Sequence, residues 1–272
     1  MPNVLFHYTK AQIALEHILV EKRLRISQFE FMNDPKESKE LYVVTVTGAI
    51  SSKLGESWKS IQKALKMVKL KEWKVLCFSQ NHPDFGSAEP FAEANPFLWG
   101  SNRPAMWAHY ASSPNCSHDG VCLRCNYQKL QKRISDSFEN TNNYFVRHGS
   151  VEYDDLKFLS YPPFNVDRIP DLTEYEIEER VREYYFEFYK EIFLLKAKDW
   201  QNEYEYRWLI HSRNYSPEYV SIDGVLEEVT VGEGFSKDYE SDLVALCTAM
   251  NIPVKRISWF NGMPDERQIY PI

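Results

Sequence analysis

Polar and apolar residues alternate without interruption through Glu203-Tyr-Glu-Tyr-Arg-Trp208. In an extended chain this puts Glu203, Glu205 and Arg207 on one side and Tyr204, Tyr206 and Trp208 on the other. The pattern predicts a strand over 200–210, its aromatic side turned into the core, because tyrosine and tryptophan fit a pleated, half-buried surface. The charged side has two readings, a solvated strand face or the floor of an active site. Further strands are predicted at Val4–Tyr8, Leu24–Ile26, Val75–Ser79, Gly120–Cys125, Tyr144–Tyr153, Tyr219–Ile222, Glu227–Val231 and Val254–Phe260.

Helical spacing runs between these strands. Thr9 reads as an N-cap, followed by Ile13, Leu15, Ile18 and Leu19 on one side. Residues 36–70 read as two helical segments broken near Gly55, with Trp58, Ile61, Leu65 and Val68 marking the second. A short helix follows Pro104, and others cover 127–138, Tyr175–Lys198 and Asp238–Met250. Asn33-Asp-Pro35 is a turn signal. Pro83, Pro90, Pro96 and Pro104 make 81–104 an irregular surface loop, long enough to carry function. Short strands alternating with helices, without regular βαβ spacing, predict an α+β fold. The expectation is one domain over 1–272, with helical insertions near 36–70 and 171–198.

Composition narrows the function classes. The chain has 272 residues, of which 43% are hydrophobic and 15% aromatic. That supports a sizeable core and a site able to stack planar ligands. A net charge of −7 argues against a long electropositive groove for duplex nucleic acid, but not against a nucleotide-sized ligand. No apolar run is long enough to cross a bilayer, and the start lacks the charged and apolar regions of a secretion signal. Cys77, Cys116, Cys122, Cys125 and Cys247 form no scaffold pattern, so a cytoplasmic location with free thiols is expected. Cys122 and Cys125 look like half a zinc site, yet i and i+3 in a strand face opposite ways, and no metal is expected.

Six stretches taken in order carry a resemblance: Leu5-Phe-His-Tyr-Thr9, Phe31-Met-Asn-Asp-Pro35, Cys77-Phe-Ser79, Met106-Trp-Ala-His-Tyr-Ala111, Gly120-Val-Cys-Leu123, and Lys198-Asp-Trp200 through Glu203-Tyr-Glu-Tyr-Arg207. The chain, from about His7 to the turn at Gly232, resembles a bacterial family of uncharacterised domains related to the ADP-ribosyltransferase-like superfamily. That resemblance implies a split β-sheet clasping NAD. It implies a first-strand His or Arg on the nucleotide, a hydroxyl at a mid-chain strand end beside the nicotinamide ribose, and a late-strand glutamate for catalysis. His7, Ser79 and the Glu203/Glu205 pair stand in that order.

Cleavage of the N-glycosidic bond of NAD builds positive charge on the ribose, as in glycoside hydrolysis, and a facing carboxylate stabilises it. Glu205 is the candidate for that role and Glu203 for positioning the acceptor. Arg207 keeps both ionised or binds a phosphate. His7 is assigned to NAD, and Ser79 to a ribose or to orienting the glutamate. Tyr110, with Trp107 on one helical face, is a candidate to stack on a base, although core packing is the plainer reading for Trp107. His109 is a candidate polar lining. Each has a bland alternative: a cross-strand ion pair, a strand-end histidine, a turn serine. The resemblance implies NAD as substrate, and a macromolecular acceptor, protein or nucleic acid, that the sequence does not identify. It also implies a role as toxin or phage-defence effector with a neutralising or regulatory protein. The competing expectation is an inactive nucleotide-sensing or protein-interaction module on the same fold.

Overall fold

The structure, a computed structural model, describes residues 2–39, 45–46, 54–86, 95–158, 162–165 and 172–270. In chain order the strands are β1 (Val4–Thr9), β2 (Arg23–Gln28), β3 (Thr45–Val46), β4 (Trp73–Ser79), β5 (Val121–Asn126), β6 (Phe145–Ser150), β7 (Glu152–Tyr153), β8 (Phe164–Asn165), β9 (Leu195–Lys196), β10 (Glu205–His211), β11 (Glu218–Ser221), β12 (Leu226–Val231), β13 (Val254–Phe260) and β14 (Met263–Tyr270). The helices are α1 (Ala11–Ile13, continued by a wider turn over Ala14–Leu19), α2 (Pro35–Ser38), α3 (Leu54–Met67), α4 (Pro104–Tyr110), α5 (Tyr127–Ile134), α6 (Asp155–Phe158), α7 (Glu174–Glu187), α8 (Tyr189–Phe193) and α9 (Lys237–Ala249). The fold is α+β, a large mixed sheet with helices around it. Among the described residues no helix is long and apolar enough to cross a membrane.

β4 and β10 are the centre of the sheet. They pair antiparallel from Glu205 opposite Ser79 to His211 opposite Trp73. β6 covers the outer edge of β10. The other edge of β4 is shared. β2 meets it at Ser27 opposite Val75 and Gln28 opposite Lys74, whereas β1 meets it only at Phe6 opposite Ser79. The sheet therefore forks at β4: β11 extends the β2 branch, and β5, β12, β13 and β14 extend the β1 branch. β12 and β13 run parallel, and the other neighbours in this sheet are antiparallel.

Alternation along β10 feeds two cores. Tyr206, Trp208 and Ile210 join Leu5, Leu76, Phe78 and Leu123 under α1, α5 and α9. Leu209 joins Trp73, Val75, Ile61, Leu65, Tyr185 and Phe193 under α3, α7 and α8. Every residue of β10 is buried, so the charged side predicted as solvated or as an open floor is covered instead. A third cluster, with Phe6, Tyr8, Cys122 and Ile257, packs around Trp107 of α4. Trp107 is fully buried and donates from Nε1 to Ser101 O at 2.9 Å, the core role expected of it. Cys125 lies in the first cluster and Cys122 in the third, on opposite faces as a strand requires.

Several predicted boundaries move. Thr9 ends β1, and Lys10 is the residue before α1, with no side-chain cap. The turn signal at Asn33-Asp-Pro35 holds: the Asp34 side chain caps α2 by accepting from Lys36 N at 2.8 Å. The expected break at Gly55 is absent, since Gly55 lies inside α3. Within the first expected helical segment, Thr45–Val46 forms strand β3, paired to β8, instead of helix; residues 40–44 and 47–53 of that segment, and 87–94 of the 81–104 loop, lie outside the described ones. The 171–198 insertion resolves into α7, α8 and β9. The hairpin arm β14 was not expected, although Asn261-Gly262 announces it. Both residues have positive φ, 51° and 77°, the conformation a two-residue hairpin turn demands.

Candidate functional site

The predicted strand over 200–210 is split by one residue. Lys198–Glu203 forms a 3-10 turn, Tyr204 takes left-handed φ 45° and ψ 53°, and β10 starts at Glu205. Glu203 is therefore not a strand neighbour of Glu205. The turn nevertheless brings both carboxylates to one ammonium: Lys196 Nζ lies 2.7 Å from Glu203 Oε2 and 3.2 Å from Glu205 Oε2. Arg207 grips Glu205 bidentately, Nε to Oε1 at 2.8 Å and Nη2 to Oε2 at 2.7 Å. Its Nη1 donates to Phe193 O at 2.7 Å and pairs with Glu37 of α2 at 2.5 Å. Tyr110 OH donates to Glu203 Oε1 at 2.6 Å, and Tyr153 OH accepts from Glu205 N at 2.9 Å.

This cluster holds three carboxylates and two cations, all buried. Burial works against the charge on Glu205, but Arg207 and Lys196 hold its pKa down at about 2. Burial dominates at Glu37 and raises its carboxyl despite Arg207. Burial also raises the Cys77 thiol, with the Glu205 charge adding to it. Lys196 is raised overall, because Glu205, Glu37 and Glu203 outweigh its own desolvation. Both Glu205 oxygens are thus engaged by cations, and neither opens to solvent.

The remaining candidates divide. Ser79 faces Glu205 across the ladder and donates from Oγ to Glu203 O at 2.7 Å, which fastens the 3-10 turn to the end of β4. His7 does not join them. Its register partner is Leu123, so it shares the opposite sheet face with Phe78, 5.5 Å ring to ring. Its Nδ1–H donates to Cys77 O at 3.1 Å, in the fork between β1 and β2, where β4 lacks a ladder partner. A carbonyl only accepts, so Nδ1 carries the hydrogen. Burial lowers the His7 pKa. His109 is exposed on α4, 6.4 Å from the Trp200 ring.

A cleft of about 1170 Å³ opens elsewhere at this end of the sheet. β4 stops at Ser79, while β1 continues back to Val4 on one side and the chain leaving β6 runs on through Val151 to Tyr153 of β7 on the other. The separation left by the end of β4 is the cleft. Phe6, Phe85, Trp99, Tyr153, Tyr204 and Tyr206 supply aromatic walls. Gln80, Asn81 and Ser150 supply amides and a hydroxyl, and His148 meets Tyr206 OH at 2.7 Å through Nδ1. Sequence reasoning missed these residues, because they come from five separated segments. The detectable signal was the aromatic and proline density of 81–104. None of the seven sequence candidates lines the cleft, but Tyr153 joins the two regions: it lines the cleft and holds Glu205 N. Among the described residues no group of three or more His, Cys, Asp or Glu side chains is arranged to hold a metal ion.

Residues 106–208 match the model of a family described as a protein of unknown function, DUF2971. That stretch runs from α4 into β10, and it includes His109, Tyr110, Lys196, Glu203, Glu205 and Arg207. No curated protein and no solved structure matches the chain.

Proposed function

We propose that the chain binds a nucleotide in the split-sheet cleft, with NAD the first candidate, on a scaffold of the ADP-ribosyltransferase type. The observation that carries this is the cleft itself: about 1170 Å³, walled by aromatic rings and edged by amide and hydroxyl groups. Ligand sites have this character, apolar walls with a few placed polar groups. Tyr204 and Trp99 offer faces for a base, and Gln80, Asn81 and Ser150 offer partners for ribose hydroxyls.

A second reading, ADP-ribosyl transfer or NAD glycohydrolysis, is favoured by the convergence of Glu203 and Glu205 on Lys196 behind Tyr153. Glu205 stays ionised, as stabilising an oxocarbenium-like ribose requires. To face that charge it must exchange its Arg207 contact. Arg207 and Lys196 hold the carboxylate rather than present it, so the binding reading ranks first. A toxin or defence role, with a neutralising partner, belongs to the transferase reading.

The test separates the two. Titration of the purified chain with NAD, followed by calorimetry, gives saturable binding if the cleft takes a nucleotide, and no heat if it does not. Incubation with labelled NAD and whole-cell lysate, fractionated into protein, RNA and DNA, reports transfer or nicotinamide release. If wild type consumes NAD and Glu205→Gln binds but does not consume it, the transferase reading replaces the binding one.

A further inference from the structure

The cations around the cleft are not equivalent. Lys255 Nζ sits 2.7 Å from Glu228 and 3.5 Å from Glu266. Arg124 faces Glu227 at 3.7 Å. Deeper in the molecule, Arg207 and Arg182 are each gripped by carboxylates. Each of these charges has its counter-ion within the protein.

Arg103 does not. It immediately precedes α4 and keeps 7% of its surface exposed. Among the described residues its guanidinium contacts two backbone carbonyls, Gln80 O from Nη2 at 2.9 Å and Asn202 O from Nη1 at 3.5 Å. Nε is buried with no partner. A guanidinium has five N–H donors in a rigid fork, and here the Nη groups reach carbonyls while the Nε–H is unmet. The fork lies 4.0 Å from the centre of the Tyr204 ring. Burial lowers the Arg103 pKa, so the site disfavours the bare cation. A buried charge without a counter-ion is costly, and proteins keep one where something else supplies the opposite charge. Of the residues that contact it, Gln80 and Tyr204 line the cleft, and Arg103 stands one layer behind them. The two carbonyls and the stacked ring hold the fork behind the Gln80 and Tyr204 part of the cleft wall.

We infer that Arg103 is the anion-binding subsite of the cleft, taking the phosphate or pyrophosphate oxygens of its ligand. The planar fork matches two such oxygens at once, which an ammonium does not. Tyr204 sits in the cleft wall against the guanidinium. Its ring yields part of that stack when the oxyanion arrives, and remains available to the base. This inference rests on the nucleotide reading of the cleft and adds which end of the nucleotide goes where.

Adenosine and ADP differ only in the diphosphate, so calorimetric titration of the full chain with each tests both statements separately. The expected result is that ADP binds at least about tenfold more tightly than adenosine, as charge-assisted hydrogen bonds predict. Arg103→Gln then removes that advantage and leaves adenosine affinity unchanged. Arg103→Lys retains the charge, loses the fork and falls between the two. Should Arg103→Gln fail to fold by circular dichroism, Arg103→Lys decides: wild-type ADP affinity overturns the inference, and a several-fold loss confined to ADP supports it. Equal binding of ADP and adenosine, unchanged in Arg103→Gln, overturns the Arg103 role and leaves the cleft reading intact. If neither compound binds, both fall.

Discussion

Two buried ion clusters occupy the same face of the β4–β10 pair, one at each end. At the end where β10 closes on Trp73, Glu72 accepts from Arg182 twice, Nε at 2.8 Å and Nη2 at 2.7 Å, and meets His211 Nε2 at 2.8 Å. Arg182 also reaches Glu178 and Glu179 on its own helix, both partly solvated. This is a clamp between α7 and the sheet, with one buried carboxylate, Glu72, met by two donor side chains. At the other end, among the described residues, the cations paired with Glu37, Glu203 and Glu205 are Lys196 and Arg207. That cluster has surplus carboxylate and sits where β4 stops and the cleft begins. The first cluster accounts for itself as architecture. The second resembles it chemically but carries more carboxylates than cations, beside the cleft that opens where β4 ends. Buried ion pairs alone therefore do not mark function; their charge balance and their neighbourhood discriminate.

The largest expected effect comes from breaking the second cluster. Arg207→Ala leaves Glu205 and Glu37 buried without their guanidinium and lowers stability by about 3–5 kcal/mol, read by denaturant unfolding. Arg182→Ala costs less, about 2–3 kcal/mol, because Glu72 keeps His211 and the other two carboxylates reach water. A larger loss at Arg182 than at Arg207 would erase the distinction between the clusters. Next comes acid. Glu205 and Glu72 both have folded pKa values of about 2, against an ordinary 4.5. A depressed carboxylate stabilises the fold above its unfolded pKa, so that stability is complete above about pH 4.5 and is lost as pH falls toward 2. Glu72→Gln flattens that slope, and a pH–stability profile unchanged by the substitution would refute the assignment. Tyr110→Phe removes a single hydrogen bond to Glu203, for about 1 kcal/mol. The smallest effect is at His109, exposed and with no hydrogen bond among the described residues: His109→Ala shifts stability by no more than about 0.5 kcal/mol.

Legibility in the sequence followed the range of the interaction. Alternation located most of the strands of the main sheet, since period two is local. It located β10, but not its first residue, because Tyr204 leaves the extended region and no local pattern announces a left-handed tyrosine. The hairpin to β14 was written in Asn261-Gly262 and passed over. In the candidate site, Glu203, Glu205, Arg207 and Tyr110 do converge. Lys196 and Glu37, which neutralise and seal them, were invisible, because Glu37 arrives from α2, far away in the chain. His7 illustrates the reverse. Its position in a first strand fitted a ligand role, yet the register turns it to the other face.

The chain's local pattern determined the elements, the aromatic wealth and the pairing of carboxylates near a late strand, since each depends on neighbours within a few residues. Tertiary structure alone decided that the charged face of β10 is buried, that the sheet forks at β4, and that a cleft opens beyond Ser79. It alone left Arg103, near that cleft, without a carboxylate partner among the described residues. These depend on which distant segments share an edge or a face, and that is set by packing the whole chain rather than by any stretch of it.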